Sequence, residues 1–219
     1  MKDRIRIAID GPSGAGKSTI AKGVAKLLGI DYIDTGAMYR AIGYKILREH
    51  VGLDERERVK TLLAGTEIDF RAGSIILDGE IVNDRIRTPE ISKIASDASA
   101  LPEVREKLVA IQRKMGQTKS VVMDGRDIGT NVLTDAEYKF YMTASSAERA
   151  QRRWLELKEK GETADLTQVE ADIIKRDHND STRALNPLRK AEDAIELDTT
   201  GMTVDEVTHK ILEVIKWQS

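Results

Sequence analysis

The chain has 219 residues and a nearly balanced charge, with 35 Lys and Arg against 37 Asp and Glu, for a formal net charge of −2. We therefore expect no nucleic-acid polymer as a partner, and the absence of cysteine excludes disulfides and thiolate metal sites. Charged residues interrupt the amino-terminal segment and no run of about 18 apolar residues occurs, so we expect a cytoplasmic protein with no membrane partner. We also expect it to be a monomer.

The first predicted element is a strand at residues 5–9, in which isoleucines alternate with other residues. A segment of the form Gly-x-x-x-x-Gly-Lys-Ser follows it and leads into an amphipathic helix. In such a loop, backbone amides surround a polyphosphate, the lysine reaches its terminal oxygens, and the serine hydroxyl binds Mg²⁺. The sequence therefore predicts a nucleoside triphosphate site made of Gly11, Pro12, Ser13, Gly14, Ala15, Gly16, Lys17, Ser18 and Thr19.

A second short strand at residues 32–33 precedes the segment Asp-Thr-Gly-Ala-Met-Tyr-Arg at residues 34–40, which opens a helix. By itself this segment leaves two alternatives open, because Thr35 could be a helix cap and Arg40 could lie on a solvated face. Residues 66–82 differ, since short apolar runs are divided by Ala72-Gly73 and Asp78-Gly79. These are hairpin signals, and they predict a small antiparallel insert outside the main sheet.

The segment Val-Val-Met-Asp-Gly-Arg-Asp at residues 121–127 reads as a short apolar strand that ends in a carboxylate. From that position phosphate-loop proteins hold Mg²⁺ directly or through its water. A strand-terminal aspartate alone is more often a turn former. Because the phosphate loop is present, we predict that Asp124 acts on the metal together with Ser18.

Two capping boxes mark helix starts in the last third of the chain. Ser145-x-x-Glu148 opens a charged helix that is predicted to run to about Lys160, where a glycine follows. Thr203-x-x-Glu206 opens the terminal helix.

Three arginines of the first of these helices, Arg149, Arg152 and Arg153, are spaced i, i+3 and i+4 and share one face. They could be a solvated face paired with Glu148 and Glu156. Phosphoryl transfer, however, depends on cations around the transferring group. We therefore predict that this face closes over the phosphates.

Residues 166–183 can form another helix, on which Arg176, Asp180 and Arg183 are spaced i, i+4 and i+7. Such a face can be a structural ladder of ion pairs. It can equally offer a carboxylate to a ribose hydroxyl and guanidinium groups to a phosphate. The spacing alone does not decide between the two.

Taken together, the predicted strands are separated by segments of helical period, which indicates an α/β protein with a parallel sheet and crossover helices. The five strands of this sheet are residues 5–9, 32–33, 121–123, 138–142 and 194–197.

Four motifs, at residues 10–19, 34–40, 124–127 and 176–183, occur in an order and spacing similar to those of the bacterial cytidylate kinase family. The resemblance implies a single P-loop kinase domain with a five-stranded parallel sheet and helices on both faces. Its core would be about residues 1–37, 103–144 and 164–219. An acceptor-binding region with the small antiparallel insert would span about 38–102, and a helical lid about 145–163.

The resemblance also implies the activity, in which the γ-phosphoryl group of ATP is transferred to CMP or dCMP with Mg²⁺ as cofactor. In such an enzyme the acceptor would be bound by Thr35, Arg40, Ser96, Arg105, Arg126, Asp127, Arg176, Asp180 and Arg183. Of these, Ser96, Arg105 and Asp127 would face the cytosine. The groups at the transferring phosphate would be Lys17, Asp124, Arg126, Arg149, Arg153 and Arg183.

Two other functions fit a phosphate loop. A nucleotide-controlled switch of the small GTPase type needs an Asn/Thr-Lys-x-Asp segment to read guanine, and the sequence contains none. A kinase for another small acceptor, such as shikimate or a different nucleotide, is the closer alternative, and an acceptor panel distinguishes it.

Overall fold

The structure is a computed structural model that describes residues 4–71, 73–159 and 161–218, with side chains as far as residue 215. Eight strands and eight helices occur along this part of the chain. The strands are β1 (Arg6–Asp10), β2 (Asp31–Asp34), β3 (Ile68–Arg71), β4 (Ser74–Leu77), β5 (Glu80–Ile81), β6 (Val121–Gly125), β7 (Tyr138–Thr143) and β8 (Ile195–Asp198). The helices are α1 (Lys17–Leu28), α2 (Thr35–Arg48), α3 (Arg56–Ala64), α4 (Pro89–Ala98), α5 (Pro102–Thr118), α6 (Ser146–Glu159), α7 (Leu166–Thr182) and α8 (Val204–Gln218).

The main sheet has five strands in the order β2-β6-β1-β7-β8. Strand β1 pairs in parallel with β6 on one side and with β7 on the other, and β8 pairs in parallel with β7. Helices connect these strands because parallel neighbours need a crossover. The five strands predicted from the sequence and the α/β class are therefore confirmed.

The chain separates into two compact units, one of residues 1–32 and 120–219 and the other of residues 33–119. In the first unit, apolar residues of the sheet, α1 and α8 form one buried core. Sheet residues such as Ile9, Val122 and Phe140 pack there with Val24 of α1 and Ile211 of α8. This core holds the carboxyl ends of β1 and β6 in fixed positions.

A smaller core in the same unit joins α6 to α7. Ala150 of α6 is buried with Val169 and Ile173 of α7. The predicted end of the charged helix at Lys160 lies outside the described residues, and α6 is described as far as Glu159.

The second unit contains helices α2 to α5 and a three-stranded antiparallel sheet, β3-β4-β5. Ile68 and Phe70 of β3 alternate with exposed residues, as expected of a sheet with one buried face. The small antiparallel insert is thus confirmed, although Ala72 of its first predicted turn lies outside the described residues.

The two capping boxes differ in the structure. At α8 both halves form, because Glu206 N–H donates to Thr203 Oγ1 at 3.3 Å and Thr203 N–H donates to Glu206 Oε2 at 2.8 Å. At α6, Glu148 N–H donates to Ser145 Oγ at 3.2 Å, but the Glu148 carboxylate accepts from Gly201 N–H at 3.1 Å instead. The side chain of Glu148 therefore attaches α6 to the segment after β8.

Among the residues that the structure describes, no helix combines the length and the apolar character needed to cross a bilayer.

Candidate active site

The phosphate loop connects β1, which ends at Asp10, to α1, which begins at Lys17. Gly11 lies against β7, where an added Cβ would be only 2.1 Å from the carbonyl oxygen of Met142. Gly16 adopts φ +82° at the start of α1, and no side chain caps that helix. No side chain therefore competes with an anion for the first amides of α1.

Lys17 is only 6% exposed, and its Nζ donates to the carbonyl oxygen of Pro12 at 2.6 Å. Burial, followed by repulsion from Arg126, lowers the pKa of Lys17 to about 7, against the attraction of Asp124 and further carboxylates. A polyphosphate bound in the loop would favour the protonated amine, because it supplies the missing negative charge.

Asp124 lies in β6, next to its last residue, and is buried. Its Oδ2 accepts from Ser18 Oγ at 2.8 Å and its Oδ1 accepts from Tyr32 Oη at 2.8 Å. The simpler alternative, in which Asp124 only forms a turn, does not hold, because both carboxylate oxygens accept hydrogen bonds from side chains of α1 and β2. A hydroxyl beside a carboxylate fits Mg²⁺, which takes few protein ligands and completes its shell with water and substrate phosphates.

Two acid–arginine pairs follow β6. Arg126 Nε donates to Asp180 Oδ2 at 2.7 Å, and Arg183 Nη2 donates to Asp127 Oδ1 at 3.1 Å. Burial alone would raise the pKa of Asp180, but Arg126, Arg176 and Arg183 together lower it. Asp180 therefore remains an anion among cations, and the predicted residues of 126–127 and 176–183 meet within the first unit.

Asp127 is buried just before a single π-helical turn, Ile128–Val132. Its side chain makes no capping hydrogen bond to this turn, so the alternative of a simple cap does not hold. Its Oδ2 accepts from Asn131 Nδ2 at 3.0 Å. The carboxylate is thus oriented from both sides by side chains.

The three arginines of α6 have different environments. Arg149 is 5% exposed, and its guanidinium donates to the carbonyl oxygens of Ser13 and Ala144, both at 2.9 Å, and pairs with Asp177 at 2.7 Å. Only this arginine is fully buried. The Arg149 side chain therefore binds the backbone of the phosphate loop directly.

Arg152 pairs with Glu148 and donates to the carbonyl oxygen of Thr199 at 3.0 Å. An added Cβ on Gly16 would lie 4.0 Å from Arg152 Nη1, so this arginine also approaches the phosphate loop. Arg153 pairs with Glu156 at 3.1 Å on the more exposed side. The alternative of a helix face paired with glutamates therefore describes Arg152 and Arg153. It does not describe Arg149.

In the second unit, Thr35 is buried as the first residue of α2. It is not the cap, because Asp34 occupies that position and accepts from Ala37 N–H at 2.8 Å. The other carboxylate oxygen of Asp34 accepts from Arg40 Nη2 at 3.0 Å. Arg40 is thus held by an ion pair and does not lie on a solvated face.

Ser96 and Arg105 lie on α4 and α5 of the same unit. Arg105 is 3% exposed, its Nη1 donates to the carbonyl oxygen of Ser99 at 3.4 Å, and its guanidinium lies 5.7 Å from the centre of the Tyr39 ring. Ser96 is half-buried one turn before that carbonyl. A buried arginine of this kind suits recognition of a planar polar ligand.

Four residues of the first unit take part in these contacts but were not assigned a role from the sequence. Asp10 and Asp177 lie inside the motifs at residues 10–19 and 176–183, and membership of a motif was the signal that could have indicated their role. Tyr32 and Asn131 carried no signal, because each acts through a partner that only the fold brings close.

Residues 7–217 match the model of a family described as cytidylate kinase. A cytidylate kinase of Caldicellulosiruptor saccharolyticus is 55% identical over 215 residues, which cover 96% of this chain and 95% of that protein. A cytidylate kinase of Desulfitobacterium hafniense is 51% identical, and the alignment covers 98% of this chain and 94% of that protein. A cytidylate kinase of Clostridioides difficile is 49% identical, with 95% of this chain and 97% of that protein covered.

Among solved structures, an uncharacterized protein from Eubacterium ventriosum superposes with a TM-score of 0.56. The alignment covers 98% of this chain and 99% of that one at 16% identity. At this identity the likeness shows a shared fold only.

Proposed function

The chain belongs to the cytidylate kinase family, and from this premise we propose that it transfers the γ-phosphoryl group of ATP to CMP and dCMP with Mg²⁺. It is an ATP-dependent kinase of cytidine monophosphates. The observation that supports the residue roles is the convergence of the phosphate loop, Lys17 and the Ser18–Asp124 pair in one unit. We also propose that it acts in the cytoplasm and as a monomer, and sedimentation of the purified protein would test the monomeric state.

In this reaction an oxygen of the acceptor phosphate attacks the γ-phosphorus, and the bond from that phosphorus to the bridging oxygen of ADP breaks. No covalent bond to the enzyme is needed, so the protein has to align two polyanions and screen their repulsion. Lys17, Arg126 and Arg183 would supply positive charge to the phosphates. Arg149 would hold the loop through its bond to Ser13.

Mg²⁺, when bound, neutralises phosphate charge and orients the transferring group. Ser18 and Asp124 would hold it, directly or through water. Tyr32 would keep Asp124 in the required rotamer, because its hydroxyl already donates to the second carboxylate oxygen.

We propose that Asp127 reads the base, with Ser96 and Arg105 as further base contacts. Cytosine presents an amino donor at position 4, from which a carboxylate can accept, whereas uracil presents a carbonyl oxygen there. Facing that oxygen, the carboxylate would meet a second acceptor instead of a donor, and the lost hydrogen bond typically costs about 1–3 kcal/mol. Thr35 and Arg40 remain proposed acceptor contacts, Arg176 and Asp180 would hold the sugar, and Arg126 and Arg183 the phosphate.

Turnover of an acceptor panel with ATP and Mg²⁺ tests the activity. The panel contains CMP, dCMP, UMP, AMP and shikimate. We expect CMP and dCMP to be phosphorylated with the highest kcat/KM. Preference for another acceptor, or slow ATP hydrolysis alone, would contradict the proposal.

Asp127→Asn tests the base contact. We expect kcat/KM for CMP to fall by at least about tenfold while that for UMP changes less, because the amide offers one acceptor and one donor. Asp135→Asn is the matched control, since Asp135 is exposed and pairs with Arg6. An unchanged CMP-to-UMP ratio in a folded, active Asp127→Asn variant would show that the base is read elsewhere.

A further inference from the structure

Asp10 is a buried carboxylate that the proposed reaction does not use. It is the last residue of β1, directly before the phosphate loop, and is 4% exposed. Its Oδ1 accepts from Ile128 N–H at 2.8 Å and its Oδ2 accepts from Gly129 N–H at 2.7 Å. One side chain thus binds two consecutive amides that lie more than 110 residues away along the chain.

Those two amides begin the π-helical turn Ile128–Val132, which directly follows Asp127. Inside the turn, the amides of Asn131 and Val132 donate to the carbonyl oxygen of Asp127 at 3.0 and 3.2 Å. The first amides of a helical turn have no acceptor within the turn itself. Asp10 supplies that acceptor, a role that the neighbouring Asp127 does not take.

The segments around this contact are also packed closely. An added Cβ on Gly129 would lie 3.4 Å from Asp10 Oδ2 and 3.2 Å from Lys139 Cδ. On the other side, Gly11 lies against the Met142 carbonyl, which fixes the backbone next to Asp10. The carboxylate is therefore held between two constrained segments.

We propose that Asp10 is a positioning residue, which fixes the backbone of residues 127–129 and thereby aligns Asp127 for the acceptor nucleotide. Asp10 acts through the amides of Ile128 and Gly129 and does not touch the substrate. The part that concerns the acceptor rests on the proposed function. The part that concerns the backbone does not, because it follows from the two hydrogen bonds alone.

Asp10→Asn tests both parts. The amide keeps the shape but has one acceptor oxygen, so its NH₂ group would face one of the two N–H donors. In the ligand-free variant we expect hydrogen exchange of the Ile128 and Gly129 amides, followed by NMR, to accelerate by at least about tenfold. We expect KM for CMP to rise about tenfold while KM for ATP changes less than about twofold.

Glu137→Gln is the matched control. Glu137 precedes β7 at the opposite end of the sheet, and its carboxylate accepts from Arg6 N–H at 2.9 Å. The Glu137→Gln variant also loses a carboxylate that binds a backbone amide. We therefore expect it to lower stability without changing KM for CMP or for ATP. Equal changes of both KM values in Asp10→Asn, or the same kinetics in the two variants, would overturn the positioning role.

Gly129→Ala provides a second, milder variant in case Asp10→Asn does not fold. The methyl group would crowd Lys139 Cδ at 3.2 Å and reach Asp10 Oδ2 at 3.4 Å, so the turn has to shift slightly against Asp10, and KM for CMP should rise about twofold to threefold. An unchanged KM would overturn the role. Faster hydrogen exchange of the Ile128 and Gly129 amides with an unchanged KM for CMP would also overturn the positioning role, and it would leave the proposed function intact. Absence of CMP turnover by the parent protein would refute the proposed function alone.

Discussion

The carboxyl ends of β1 and β6 and the arginine face of α6 both lie in the first unit, but they are held in different ways. At the strand ends, Asp10 and Asp124 are buried, and both oxygens of each accept hydrogen bonds from backbone amides or hydroxyls. On α6, Arg152 and Arg153 pair with glutamates three or four residues away. The first region is fixed by the fold, whereas the more exposed Arg153–Glu156 pair can exchange partners at low cost.

The energetic reason is burial. The Arg153–Glu156 pair is the more exposed of the two, and an exposed ion pair one helical turn apart contributes only about 0.3–0.5 kcal/mol, so an incoming phosphate can replace its glutamate partner. A buried carboxylate that loses its donors costs on the order of several kcal/mol. Substitutions at the strand ends should therefore lower turnover strongly. Substitutions on α6 should lower turnover by amounts that depend on how deeply the arginine is buried.

Lys17→Ala should give the largest effect. Loss of the buried amine from the phosphate loop should lower kcat by at least about 10²-fold, because positive charge on the transferring group is lost. The measurement is steady-state turnover of CMP, with circular dichroism to verify the fold. Near-normal turnover in a folded variant would remove the loop from the mechanism and end the contrast between the two regions.

Asp124→Asn should reduce turnover by roughly 30-fold and shift the Mg²⁺ titration to higher concentration, since the amide is a weaker metal ligand. Affinity for CMP should be nearly unchanged. Isothermal titration with CMP and turnover at varied Mg²⁺ would check both statements. A metal titration identical to that of the parent would rule out the assignment.

Arg149→Ala and Arg153→Ala sharpen the difference within α6. We expect kcat to fall about tenfold for Arg149→Ala, since Arg149 holds the Ser13 carbonyl, and less than about twofold for Arg153→Ala. CMP affinity should change little in both. If both variants lose only thermal stability, the arginine face is structural.

The smallest effect concerns pH. Burial raises the pKa of Asp10 to about 6, although two amide donors and Lys17 oppose the shift and Asp127 adds to it. Because the folded-state pKa lies above the ordinary value of 3.8, protonation favours the folded state, and this contribution is lost as pH rises through about 6.

Urea unfolding of the parent and of Asp10→Asn between pH 4 and 7 measures this contribution. The free energy of unfolding of the parent, relative to the variant, should fall by at least about 1 kcal/mol as pH rises over that range. A difference that is constant with pH would show that Asp10 titrates normally.

The sequence was sufficient for elements that depend on local pattern. Alternating isoleucines predicted β1, and the motif at residues 11–18 predicted the loop and the start of α1. It did not assign α3, α4 and α5, in which charged residues stand between the apolar positions.

Contacts between distant segments were beyond reach for a different reason. The bonds from Asp10 to Ile128 and Gly129 depend on the register of β1 and β6, which pairs Asp10 with Gly125. The bond from Tyr32 to Asp124 depends on the placement of β2 beside β6 in the sheet. Residue identity alone does not specify that register. Asp124 was predicted because a strand end after a phosphate loop is a local feature.

The proximity of Gly11 to the Met142 carbonyl separates two meanings of the glycine-rich motif. A Cβ at Gly11 would clash at 2.1 Å with a neighbouring strand, so this glycine is required for the sheet to assemble even when no nucleotide binds. A descendant that had lost its catalytic activity but kept the fold should therefore retain a glycine here while Lys17 drifted. In a divergent relative, Gly11 marks inheritance of the architecture, and Lys17 marks retention of the chemistry.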